Sequence, residues 1–270
     1  MPPVSLDLSK AIKLLFHFFI IFQYACYGQS LNAFFERKPV KFSIQTKNIV
    51  FTNNYNQAAT TENNFLLKVD SIAHSTGIAR HFSDVYRKSM MNIALRIQGM
   101  NSNSKRFIEK FEISFADYFL KACFADRSGK LSSWSEWNCY FSNPAAEPWQ
   151  LVLLGVNTHI NADLWRSLVD NFSEKEIRQN KKKLLSSQSS IDEVYYRFFE
   201  TLLDQSNFFR WMNSFTKGLP KLMGERLVYK WRKRNVNLAI LYYHDQERFN
   251  KKLNLINRKK QNIDKKILNL

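Results

Sequence analysis

From Glu62 onward the apolar positions recur every three or four residues, the period at which a helix buries one face. The segments that hold this period are 62–73, 78–97, 104–124, a short stretch over 132–139, 148–170, one near 207–217 and a long one over 219–245. Breakers such as Ser75-Thr76-Gly77, Asn101-Ser102-Asn103 and Asn143-Pro144 separate them. Two Ser-x-x-Glu boxes, Ser173 to Glu176 and Ser190 to Glu193, predict helix starts, because hydroxyl and carboxylate reciprocally satisfy the free amides of a first turn. With 7 Gly and 6 Pro in 270 residues, the chain lacks the turn residues that sandwiches and barrels consume. The expectation is an all-α domain over 62–245 built around a buried central helix at about 148–170. An irregular arm over 29–61, in which Val40, Phe42 and Ile44 alternate as a short edge strand does, leads into it.

Composition refines this in three places. Lys10 and Lys13 precede the apolar run Leu14 to Phe22, which gives way to Cys26-Tyr27-Gly28, the order of a signal peptide with cleavage after Gly28 and export to the periplasm, envelope or exterior. A membrane anchor needs about 20 apolar residues, more than this run supplies. Lipid attachment at Cys26 is the weaker variant, since Gln23 stands where an aliphatic residue is usual. After such cleavage Cys123 and Cys139 remain, and two readings stay open for them: one disulfide, or two thiols in the core.

Net charge is +17, and from Glu225 onward thirteen Lys and Arg face four Asp and Glu. Within 246–270, Phe249, Leu253, Ile256, Ile263, Ile267 and Leu270 form one helical stripe interrupted by Lys260. This basic amphipathic tail suits docking on the domain or on an anionic membrane surface. Export disfavours nucleic acid as the partner. A chain ended near Asp245 is expected to keep its core.

The chemistry-bearing residues concentrate in the segment Asn157-Thr158-His159-Ile160-Asn161-Ala162-Asp163. At helical spacing His159 and Asp163 share one face, and Asn157 and Asn161 another roughly opposite. His159 and Asp163 fit a base with its orienting carboxylate, or two ligands of a divalent metal; the bland alternative is a buried helix whose polar groups bond its neighbours. Asp84, Asp117 and Tyr118 on flanking helices are the candidates to complete a ligand site with Asn157 and Asn161, while Asp70, His74, His81 and Tyr86 flank the Gly77 break. His74 is expected to cap a helix end, His81 to lie on a solvated face and His244 to sit by a helix terminus. No phosphate-binding glycine loop, Gly-x-Ser-x-Gly elbow, paired Cys-x-x-Cys or His-Glu-x-x-His helix is present, which removes the commonest enzyme classes.

The block Leu153, Leu154, Gly155, Asn157, His159, Ile160, Asn161, Asp163 and Leu164, with Phe115-Ala116-Asp117-Tyr118 upstream, resembles the bacterial family of domain of unknown function 5995 over about 65–243. Thr158 stands where that block usually has Ala, and Trp165 where many members have Pro. The resemblance implies an all-helical domain with a distinctive central motif and no particular reaction. Two functional classes fit. One is a pocket for a small ligand or divalent metal, of hydrolase or lyase type if catalytic, with His159 as ligand or base and Asp163 as its partner. The other is a non-catalytic envelope protein in which the motif is a polar staple and the tail mediates association.

Overall fold

A computed structural model describes residues 65–205, 213 and 219–269. The expected signal segment, the arm with its edge strand and nearly all of the helix near 207–217 lie outside the described residues. Those described form helices and no strand.

The first helix, α1 (Phe65–Ala73), packs on α2 (Ala79–Ile97). The buried stripe of α2 runs Phe82, Tyr86, Met90, Ile93, Ile97, the three-and-four spacing of its sequence. Helix α3 (Ser102–Arg127) starts where Asn101 Oδ1 accepts from the Ser104 backbone N–H at 3.0 Å. It ends where Gly129, at φ 67°, lets the Lys130 amide turn back to the Ala125 carbonyl at 2.8 Å, closing an otherwise open helix terminus. A 3-10 stretch (Leu131–Trp137) and the single-turn α4 (Asn138–Phe141) cover the short segment read over 132–139.

The central segment is α5 (Pro148–Thr158), a π-helical turn (His159–Asp163) and α6 (Leu164–Val169). Pro148 occupies the first helical position, where no N–H is needed, and the Glu147 amide donates to Gln150 Oε1 at 2.8 Å. Leu151, Leu154, Leu164 and Leu168 are each at most 1% exposed. Burying side chains of this size stabilises by roughly 1.5–3 kcal/mol apiece. Around this segment lie α2, α3, α4, α9 (Leu219–Tyr242) and α10 (Gln246–Leu268), as the expectation of a buried central helix required. Helices α7 (Glu174–Ser186) and α8 (Gln188–Gln205) complete the bundle.

Two local expectations change, and one left open is decided. The box at Ser173 caps α7, but Ser190 lies inside α8, because the chain breaks three residues earlier at Ser187, whose hydroxyl donates to the Leu184 carbonyl at 2.8 Å. Cys123 and Cys139 are free thiols, the first buried and pushed up to about 12 by that burial. Finally, α10 is part of the domain rather than an appendage. Phe249, Ile256 and Ile267 are buried, and Lys260, which interrupts the stripe, is itself only 5% exposed. Its ammonium enters the core to donate to Asp264 Oδ2 at 2.7 Å and to the Glu136 carbonyl at 2.9 Å. Among the described residues no helix is long and apolar enough to cross a membrane.

Candidate functional site

The π turn falls on the polar motif. Widening one turn of a helix misaligns the hydrogen-bond ladder around it, a cost that such segments carry most often at functional positions. Here every residue of the turn is at most 7% exposed. The four polar residues divide into two faces with different fates.

On one face the amides of Asn157 and Asn161 are both engaged by protein, while Asn235 Oδ1 and Arg234 Nε at its edge have no partner. Asn161 Nδ2 donates to Asn157 Oδ1 at 2.8 Å, and Asn157 Nδ2 donates to Asp264 Oδ1 at 2.7 Å and the Lys260 carbonyl at 3.1 Å. Asn161 Oδ1 in turn accepts from Arg234 Nη2 at 2.6 Å and Asn235 Nδ2 at 3.3 Å. This network ties the central segment to α9 and α10. One turn earlier Gln150 Nε2 donates to the Ile267 carbonyl at 2.8 Å, extending the same seam.

The other face ends in open valences. His159 Nδ1 and Asp163 Oδ2 lie 2.9 Å apart. The same oxygen accepts from the Trp137 indole N–H at 3.1 Å, so it is an acceptor and Nδ1 carries the imidazole proton. That leaves Nε2 as a lone pair with no partner. Asp163 Oδ1 and the Tyr86 hydroxyl are likewise buried without a hydrogen-bond partner. Buried polar atoms rarely stay unmet in a stable fold, so three around one imidazole mark this face as built for something other than packing. Burial lowers the His159 pKa despite its carboxylate neighbour, and burial raises that of Asp163 despite donors from His159 and Trp137. Neutral imidazole, able to accept a proton at Nε2, is the resting form.

Aromatic rings close the space. Phe115 stacks on His159 with centroids 3.5 Å apart, Tyr86 meets it edge-on at 4.5 Å, and Phe82 at 5.4 Å. Gly155, one turn before His159, makes this possible: a Cβ there would lie 2.5 Å from the Phe82 ring. The motif glycine is thus a packing requirement of the box.

The structure brings His159 and Asp163 together and places Asp84, Asp117 and Tyr118 with other partners. Asp84 bonds Lys88 at 2.7 Å and Arg87 at 3.4 Å, within a cluster that also holds Asp70. Asp117 pairs with Lys121 at 2.6 Å on the surface, and the Tyr118 hydroxyl donates to Asp170. Asp84 and Asp117 meet cations on their own helices, and Tyr118 meets Asp170 at the end of α6, where the charge of Asp163 still acts on it. His74 turns back to the Asp70 carbonyl at the end of α1, as expected. His81, expected on a solvated face, is buried and lowered to about 4 by that burial and by Arg80. His244 bonds Glu174 and Arg178.

The residues that do face the dyad are Tyr86, whose pKa burial and the charges of Glu112 and Asp163 raise, and behind it Glu112. Burial lifts Glu112 to about 7, although Arg232 acts against it, and Arg232 is lowered to about 10 by its own burial. Arg232 donates to Gln188 Oε1 and the Leu184 carbonyl, both at 2.9 Å. A signal for this pair existed: Glu112 is the one charged residue in the stripe Ile108, Glu112, Phe115, Phe119, and Arg232 stands likewise in Val228, Arg232, Asn235, Ala239. Among the described residues no group of three or more His, Cys, Asp or Glu side chains gathers at a metal-sized site. Two ligands, His159 and Asp163, are what the dyad itself offers a cation, fewer than the three or four protein ligands usual for zinc.

Fold and site together define an all-α domain whose central helix carries a buried polar node of two unlike halves. The chain belongs to a family of unknown function, DUF5995, which matches residues 68–269 and therefore includes α10 as well as the motif. No curated protein and no solved structure matches the chain.

Proposed function

We propose that this domain binds a small ligand at the His159–Asp163 dyad, with His159 Nε2 as the group that accepts a proton or hydrogen bond from it. The observation that carries this reading is the unpartnered Nε2 of an imidazole whose other nitrogen is held by a carboxylate, the arrangement in which a histidine is oriented to act as a base. Asp163 fixes the tautomer; Tyr86 and Asp163 Oδ1 supply a hydroxyl and a second acceptor beside it. Asn157 and Asn161 hold the segment in register. A hydrolase or lyase is the enzymatic form of this reading. The chain acts outside the cytoplasm, a proposal that rests on the basic flank and apolar run over 10–28.

One observation favours the alternative of a structural staple: His159 is 3% and Asp163 0% exposed, so a ligand reaches them only if the aromatic box opens. The two readings part on the variants His159→Phe and His159→Phe/Asp163→Leu. For a ligand site, native mass spectrometry of the purified parent shows a bound small molecule or metal, or a thermal-shift panel of Zn2+, Mn2+, amines, alcohols and carboxylates raises its melting temperature, and both effects vanish in the variants. A parent with no bound species and no response to the panel would overturn the ligand reading.

A further inference from the structure

We propose that the cleft between α7 and α9 is a binding site for phosphoryl anions, separate from the buried dyad. The cleft encloses about 530 Å³ and is lined by Arg178, Lys181, Lys182, Leu185, Ser186 and Tyr229. That volume lies within the range of roughly 300–1,000 Å³ typical of ligand sites. The five residues from α7 fall at spacings of three and four, so one helical face forms a whole wall, and Leu185, 8% exposed, is its buried base.

Among the described residues, three of the six lining side chains are cationic and none is acidic. Lys181 donates to Asn237 Oδ1 at 2.7 Å, a neutral acceptor that holds the ammonium in place without cancelling its charge. Lys182 has no carboxylate partner among the described residues. Arg178 is paired with Glu174 and His244 at the surface, with its side chain 53% exposed. An exposed pair of that kind is weak because water and salt screen it, so the guanidinium is readily exchanged to a stronger anion. Opposite stands Tyr229, 37% exposed, which brings a hydroxyl donor and an aromatic face to a wall otherwise made of cations.

The chemistry selected by a fork-shaped guanidinium, two ammonium groups and a phenol is a tetrahedral phosphoryl anion, whose non-bridging oxygens accept from several donors at once. A single carboxylate uses too few of them. A soluble phosphate ester and the headgroup of an anionic phospholipid share this chemistry. The cleft also offers an alternative to the tail as the place where the net charge of +17 meets a partner. In α10 the apolar stripe is already spent on the core.

The test titrates the full-length protein with inorganic pyrophosphate by calorimetry, and with vesicles of phosphatidylcholine with and without phosphatidylglycerol by sedimentation. Lys181→Glu/Lys182→Glu is compared with Lys251→Glu/Lys252→Glu, which makes the same charge change on the exposed face of α10. The cleft variant is expected to lose at least about ten-fold in affinity for whichever probe binds the parent, and the control less than about two-fold, since exposed Lys251 and Lys252 do not line the cleft and salt screens exposed charges that make no direct contact. Pyrophosphate alone identifies a soluble ester, and phosphatidylglycerol vesicles alone identify a lipid headgroup. Equal losses in the two variants, or a parent that binds neither probe, would overturn the proposal.

Discussion

At Gly155 one hydrogen atom decides whether the aromatic box can close. A methyl group there meets the Cβ, Cγ and Cδ2 of Phe82 at 2.5–2.7 Å, and that ring is wedged against Tyr86, Phe119 and Trp137. Gly155→Ala is therefore expected to destabilise by about 1–3 kcal/mol, the usual cost of overpacking, even though alanine favours helix. Denaturant unfolding measures it, and a neutral or stabilising result would show that Phe82 has room to move. The dyad makes the opposite kind of prediction. His159→Phe keeps a ring against Phe115 but leaves the buried Asp163 carboxylate with Trp137 as its one remaining side-chain donor, an under-partnered buried charge that costs about 1–3 kcal/mol. His159→Phe/Asp163→Leu removes the stranded group as well and is expected to recover most of that loss, as apolar replacement of both members of a buried polar pair commonly does. Thermal melts of the parent and both variants check this. A double variant no more stable than the single one would mean that the carboxylate serves the fold by itself, through Trp137.

The element whose role changes most is α10. Its helical period, its capping residue Asp245 and its apolar stripe are all readable along the chain, and Asp245 Oδ1 accepts from the Arg248 amide at 2.9 Å as a cap should. Yet its buried positions include Lys260 and Asp264, which a hydropathy pattern assigns to solvent. The reason is physical: a charged side chain enters a core only when specific partners meet it, and those partners, Glu136 and Asn157, lie more than 100 residues away. Periodicity reports which face of a helix is apolar, and says nothing of a polar group satisfied by a distant element. The same limit explains why the i, i+4 pair of His159 and Asp163 is legible in the sequence, whereas the setting of buried Glu112 against Arg232, 120 positions later, is not. Truncation after Asp245 is consequently expected to abolish cooperative unfolding, because it uncovers Phe249's contact with Trp165 and strands the Asn157 amide. Circular dichroism melts of the truncated chain test this. A retained two-state transition would restore the view of α10 as an accessory.

For the whole molecule, pH reads out the buried charge. Glu112 is raised in the folded state to about 7, so relative to the unfolded chain it contributes stability that is fully present below its ordinary value of 4.5 and is lost as pH rises through about 7. That shift corresponds to about 3 kcal/mol of ionisation penalty, with the charge of Arg232 acting against it. Glu112→Gln should thus match the parent near pH 4.5 and exceed it in stability near pH 8. The difference between their melting temperatures across that range isolates this carboxyl from His81 and His159, whose lowered values pull the other way on acidification. A constant difference would place Glu112 in a better-solvated setting.

The bond from Asn157 to Asp264 spans 107 positions of sequence. While the chain is being made, the asparagine leaves the ribosome about 5–20 s before its partner, at a synthesis rate of roughly 5–20 residues per second. During that interval the central helix holds its apolar sides and its amide without the element that seals them. Nascent chains of this protein should therefore remain open to chaperones until α10 has emerged.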